Sequence, residues 1–183
     1  MISNLSLLLT VLSCQELPAQ QTWIDQELPG LVTLYEKLHQ SPELSFQEKE
    51  TSAKMATILK ENGFEVIENI GGYGVAGVLR NGEGPTVLVR ADTDALPIVE
   101  DTGLAYASKV RATEQDGHEV GVMHACGHDI HMTVWSGVAA YLAQNKSQWT
   151  GTLLFVAQPA EERGAGSAAM LADGLYEKTV TPD

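Results

Sequence analysis

The sequence predicts an α/β fold, a mixed sheet flanked by helices, on three observations. Segments whose apolar residues step by three and four alternate with β-branched runs, the pattern of helices laid on a sheet. A composition of 44% hydrophobic and 19% charged residues over 183 residues is that of a globular domain with its own core. The segments are punctuated by Gly, Pro and Asn-Gly, and with Cys14 and Cys126 as the only cysteines no disulfide framework holds the fold. The chain carries 24 acidic against 11 basic residues, a net charge of -13. That balance argues against a nucleic-acid partner, which needs Lys and Arg to neutralise phosphates.

The elements follow in order. Leu5 to Leu12 is an apolar run ending in Ser13-Cys14, too short to span a bilayer and of the length of a signal-peptide hydrophobic region. Val11-Leu12-Ser13-Cys14 resembles a bacterial lipobox, so the expectation for residues 1–14 is an exported leader with a lipidated Cys14 attaching the protein to a membrane. Against it, no Lys or Arg occurs before Lys37. Folded structure is then expected from Trp23 onward, over residues 23–183. Ile24, Leu28, Leu31, Tyr35 and Leu38 mark one helix face, with Pro29 in the first turn or at a kink. His39 to Glu43 reads as a connector. Ser45 with Glu48 has the spacing of a capping box, and Thr51, Met55, Ile58 and Leu59 continue a helix that Gly63 stops. Phe64 to Ile67 is a short strand, and Gly71 to Gly74 supplies turn geometry without the pattern of a phosphate cradle. Val75 to Arg80 and Thr86 to Arg90 are strands joined through Asn81-Gly82, a hairpin signal. Residues 91–129 carry little periodicity, as a functional excursion would. Ile130 to Leu142 is a helix, Thr152 to Ala157 a buried strand, and Ser167 to Leu171 part of another helix.

Three clusters carry chemistry, each beside a strand end, where α/β sheets place ligands. Arg90-Ala-Asp92-Thr-Asp94-Ala-Leu-Pro97 sets two carboxylates two residues apart; taken alone this reads as a solvated acidic turn, and if both faced one cavity a cation or a histidine nearby would be needed. Met123-His124-Ala-Cys126-Gly-His128-Asp129-Ile-His131 packs three histidines, a thiol and a carboxylate into nine residues. Cys126 and His128, separated by a glycine, can offer a thiolate and an imidazole to one borderline-soft cation. Gln158-Pro-Ala-Glu161-Glu162 places adjacent carboxylates on irregular backbone, so one can hold a metal while the other stays free as a base.

These blocks, with Pro42-Glu-Leu-Ser-Phe46 ahead of them, stand in an order and spacing that resembles the metallo-amidohydrolases typified by hippurate hydrolase, N-acyl-amino-acid amidohydrolase and auxin-conjugate hydrolase, within the aminoacylase and carboxypeptidase superfamily. The resemblance runs from about Leu31 to Glu177. It implies a hydrolase with two divalent cations (Zn, Mn, Co or Ni) that cleaves the amide of an N-acyl amino acid or peptide-like amide and assembles as a homodimer at full length. By the same resemblance Cys126 is the bridging ligand, His128 and Glu162 are further ligands, Glu161 is the general base, and Asp94 is the catalytic-site carboxylate that orients a metal-bound histidine. Asp92 stands where other branches carry a ligand histidine, and no chemistry is assigned to His124 or His131. Relatives of this kind are much longer. The chain is therefore expected to be the N-terminal part of a di-metal catalytic domain, without two further histidine ligands and without the lid or dimerisation domain.

Two departures bear on the resemblance. Tyr35 and Glu36 stand where two arginines are common, and Arg111 to Val120 lengthens the excursion before Cys126. Two other readings fit the same residues: a cysteine hydrolase using Cys126 with His128 or His131, and an inactive metal-binding chain. A deaminase-like zinc site is excluded because no Pro-Cys-x-x-Cys follows.

Overall fold

The computed structural model describes residues 18–183; the leader and Cys14 expected at residues 1–14 lie outside the described residues. The chain folds as α1 (Pro18–Gln40), α2 (Lys49–Glu61), β1 (Glu65–Ile70), β2 (Gly74–Asn81), β3 (Thr86–Asp92), β4 (Arg111–Thr113), β5 (Glu119–Gly121), α3 (His128–Gln144), β6 (Gly151–Gln158), α4 (Gly166–Ala172) and α5 (Leu175–Lys178). The main sheet has the order β1-β2-β6-β3, antiparallel except for the parallel pair β3/β6, so the sheet is mixed as expected.

β6 explains the layering. Its side chains alternate: Leu153, Phe155 and Ala157 join Leu38, Met55, Leu59, Met132 and Trp135 in a core under α1, α2 and α3. Leu154 and Val156 join Ile70, Val78, Met170 and Leu175 under α4 and α5 on the opposite face. A strand buried on both sides reads as a continuous apolar run, which is how Thr152 to Ala157 looks in sequence.

Several expectations need correction. β2 and β3 do not form a hairpin across Asn81-Gly82, because β6 lies between them and pairs with both. Residues 82–85 bridge two strand spacings, about 10 Å, within the reach of a four-residue link. The inserted backbone passes so close that a Cβ on Gly151 would sit 2.3 Å from the Pro85 carbonyl oxygen. Residues 91–129 are not devoid of elements: β4 and β5 pair as a small hairpin, and Leu44, Ala95 and Val122 form a minor core beneath it. Pro29 lies in the middle of α1, which begins eleven residues before it, and α1 runs through His39 rather than ending ahead of it. The N-terminal half of α1 leaves Ile24 and Leu28 half exposed, whereas Leu38 is buried. Among the described residues no helix is long and apolar enough to cross a membrane.

The capping box also fails. Ser45 makes no cap to α2, whose N-cap is Glu48 without a side-chain cap bond. Instead Glu43 accepts the amides of Glu50 and Thr51, at 3.1 and 2.7 Å, and satisfies the first turn. Ser45 and Glu48 are thereby released to face the strand ends.

Candidate metal centre

The parallel pairing of β3 with β6 sets their C-terminal ends side by side, with Asp92 in register with Gln158. The Thr93 amide and hydroxyl both donate to the Gln158 carbonyl, at 3.0 and 3.1 Å, so the Asp92–Asp94 and Gln158–Glu162 segments leave the sheet together. α3 starts at His128 immediately above them, after Gly127 turns the chain at φ +82. A non-glycine residue would be strained in that conformation.

The geometry brings together all three side chains expected as metal ligands. A sulfur, an imidazole nitrogen and a carboxylate oxygen from Cys126, His128 and Glu162 lie within 4.8 Å of one another. A second such group, Asp92, His128 and His131, shares His128. His128 Nδ1 faces the Asp94 carbonyl oxygen at 2.8 Å, which fixes the tautomer with hydrogen on Nδ1 when the ring is neutral. Nε2 then points into three carboxylates, 3.6 Å from Asp92, 3.7 Å from Glu161 and 3.7 Å from Glu162. A nitrogen lone pair among three carboxylates is unfavourable unless a positive charge sits between them. The electrostatics carry the same message: burial lowers the His128 pKa, but the hydrogen bond to Asp94 and the charge of Asp92 outweigh it and raise it to about 9.

Glu162 Oε1 is buried and has no hydrogen-bond partner. An unpartnered buried carboxylate oxygen is costly, and a divalent cation held with Cys126 and His128 would satisfy it. Cys126 is an exposed thiol, and the Glu162 carboxylate beside it pushes its pKa up. That is the opposite of the depression a thiolate nucleophile needs.

Asp94 is buried and holds the chain that carries the acidic pair. Its Oδ1 accepts the Glu161 amide at 3.0 Å; its Oδ2 accepts the Glu162 amide at 3.0 Å and the Ser45 hydroxyl at 2.6 Å. Burial raises its pKa, but the hydrogen bonds from His128, Ser45 and the two amides more than offset this and hold it below the usual carboxylate range. Asp94 thus orients His128 through its backbone carbonyl and supports Glu161 and Glu162 through its side chain. Asp92 bonds His131 Nδ1 at 2.6 Å, so two of the three groups without an assignment from the sequence form a pair at the rim, with the His131 ring stacked on His128 at 5.7 Å.

Three further buried residues carry no chemical assignment from the sequence. His39 bridges Asp129 at 2.6 Å and Glu100 at 3.0 Å, both carboxylates being buried. Glu48 is completely buried and accepts the Ala160 amide at 2.7 Å. His124 is buried with both ring nitrogens unpartnered, and burial lowers its pKa to about 4, so the ring is neutral. For Glu48 and His39 the signal present was the Pro42-Glu-Leu-Ser-Phe46 block beside them, which sequence alone could not separate from a helix cap and a connector.

Known proteins share this arrangement of segments. The chain is 43% identical over 161 residues to an N-acetyl-L-cysteine deacetylase of Bacillus subtilis, covering 87% of this chain and 36% of the relative. It is 46% identical over 143 residues to a hippurate hydrolase of Campylobacter jejuni, covering 78% of this chain and 34% of the relative. A Bacillus subtilis crystal structure described as a dinuclear metal binding peptidase of the M20 family superposes with a TM-score of 0.71 at 38% identity, covering 85% of this chain and 40% of that one. The chain spans little more than a third of the length of such curated relatives. The family profile matches residues 88–183, just over half of the chain and every side chain gathered around His128, and on that match the chain belongs to peptidase family M20/M25/M40.

Proposed function

We propose that this chain carries the first ligands and the general base of a two-cation hydrolase that cleaves the amide bond of N-acyl amino acids. The observation that carries the reading is the convergence of Cys126, His128 and Glu162 within 4.8 Å around a buried carboxylate oxygen that has no partner. A thiolate, an imidazole and a carboxylate form a donor set suited to Zn²⁺ and related divalent ions. When bound, such cations supply Lewis acidity that polarises a carbonyl and makes water easier to deprotonate.

The two adjacent glutamates divide the remaining work by exposure. The Glu162 side chain is 19% exposed and lies on the Cys126 side of the cluster, as a ligand should. The Glu161 side chain is 39% exposed and turns toward solvent while staying 3.7 Å from His128 Nε2. It is placed to take the proton of an attacking water and return it to the leaving amine nitrogen. Asp94, shielded from solvent, is a positioning residue: it fixes the His128 ring and the amides of both glutamates. A cleft of about 280 Å³ opens beside Glu162, lined by Leu44, Ala95, Leu96, Pro97 and Arg163, and offers room for the acyl or amino-acid part of a small amide. N-acyl amino acids are the substrate class because the similar deacetylase and hippurate hydrolase are named for them.

The test separates base from ligand. In a full-length relative, Gln at the position of Glu161 should lower hydrolysis of hippurate or N-acetylcysteine by about 10²- to 10⁴-fold while metal content stays unchanged. Gln at the position of Glu162 should lower metal content itself. Equal loss of metal in both variants would refute the division of roles.

A further inference from the structure

Glu48 belongs to neither the ligand set nor the base, yet it is the most deeply buried carboxylate near them, at 0% exposure. Its Oε1 accepts the amide of Ala160, 112 residues away in sequence, and its Oε2 has no partner. Ala160 is itself fully buried and sits at φ +49, a left-handed conformation that disfavours any residue with a Cβ. Its carbonyl accepts the amides of Ala165 and Gly166, at 3.2 Å each. Gly166 comes so close that a Cβ there would lie 1.6 Å from the Pro159 carbonyl oxygen. The turn carrying Glu161 and Glu162 is therefore strained, and strain persists only where surrounding contacts hold it.

Three successive amides of that turn, those of residues 160, 161 and 162, are taken up by two buried carboxylates, Glu48 and Asp94. One short segment reaches both carboxylates, supplying Glu48 itself and holding Asp94 through Ser45. Ser45 donates to Asp94, Phe46 adopts φ +67, and Glu48 follows at the head of α2. The left-handed residue at 46 lies between the two residues that reach the turn, one toward Asp94 and the other toward Ala160.

We propose that Glu48 is a positioning residue: by holding the Ala160 amide it locks the strained turn and aims the Glu161 and Glu162 side chains at His128 Nε2. Only one oxygen of Glu48 is used, so an amide side chain of the same shape should serve as well. The geometric part of this inference is independent of any metal; its effect on cation affinity rests on the proposed ligand set.

Two readouts on the 183-residue chain test it. Amide hydrogen exchange should show Ala160 to Glu162 losing protection by about tenfold, the worth of one buried hydrogen bond, in Glu48→Ala. Glu48→Gln should stay close to the parent. Co²⁺ titration, read by the thiolate-to-cobalt absorption of Cys126, should show affinity falling by about tenfold in Glu48→Ala. Adding Ala160→Gly to that variant should restore part of the affinity, because glycine accepts the left-handed backbone without strain, but not the lost protection at residue 160. If Glu48→Ala does not fold, Glu48→Asp, which withdraws the carboxylate by one methylene, should show both losses in milder form. Unchanged protection of residues 160–162 in folded Glu48→Ala, or in Glu48→Asp in its place, overturns the inference. A parent chain that binds Co²⁺ without the Cys126 signal overturns the ligand assignment instead and leaves the exchange result to decide on Glu48.

Discussion

At the scale of single residues, the site is a group of acids kept apart by how each is solvated. Asp94 is buried but ionised, because four donors surround it. Glu48 is buried with one of its oxygens unpartnered, and desolvation pushes its pKa up from 4.5 to about 7. A carboxyl group that binds its proton more tightly in the folded than in the unfolded state favours folding at low pH. Its contribution is present below pH 4.5 and is lost as pH rises from 4.5 through about 7. The shift corresponds to about 3 kcal/mol at most. Glu48→Gln should therefore flatten the fall in stability between pH 5 and pH 8, as measured by urea midpoints. An equally steep fall in both proteins would show that the net charge of -13, not Glu48, sets the slope.

At the scale of elements, His39 joins three parts of the chain that are distant in sequence. It sits at the end of α1, bonds Asp129 in the first turn of α3, and bonds Glu100 in the excursion between β3 and β4. Tyr106 covers the ring edge-on at 5.4 Å. Burial lowers the His39 pKa, but the two carboxylates outweigh it and hold it above the ordinary histidine value. Its stabilising effect is therefore complete below pH 6.5 and disappears as pH rises through the raised folded-state value. His39→Gln should destabilise the chain by about 3 kcal/mol at pH 6, since it leaves two buried carboxylates uncompensated. The difference from the parent should shrink by pH 9, and chemical denaturation at the two pH values measures it. A difference that is constant with pH would mean that His39 acts by packing alone.

At the scale of the whole molecule, the chain presents the three proposed ligands on one side of its site and an edge strand, β3, in the same sheet. β3 ends the sheet order, and Val87 on it is 48% exposed. Unpaired strand edges with apolar side chains favour association. Two cations about 3.5 to 4 Å apart need more ligands than Cys126, His128 and Glu162 provide. Residues 23–183 alone, given Zn²⁺, Mn²⁺ or Co²⁺, should therefore hydrolyse no N-acyl amino acid at a measurable rate. Supplying the region that the longer relatives add, in the same polypeptide or as a second one, should restore hydrolysis. Robust turnover by residues 23–183 alone would show that the ligand set is complete within them. For the leader, intact mass and N-terminal sequencing should find a lipidated Cys14 as the first residue of protein made in a bacterial host; an unprocessed Met1 would rule that out.

The sequence by itself determined the alternation of helices and strands, the burial of β6 on both faces, and the blocks at Asp92–Asp94, Cys126–His128 and Glu161–Glu162. Each of these is a local property: periodicity records which faces leave water, and short motifs keep their donors within a few residues. Tertiary structure alone decided that β6 separates β2 from β3, and this pairing, between segments more than sixty residues apart, brings Gln158 beside Asp92. It also decided that Ser45 and Glu48 face the strand ends rather than the first turn of α2, because Glu43 satisfies that turn in their place. The same holds for the different exposure of Glu161 and Glu162, on which the proposed division of roles rests. Two identical side chains in sequence become different ones through the left-handed backbone at Ala160 and the carboxylates that hold it, and no local pattern in the chain records those long-range contacts.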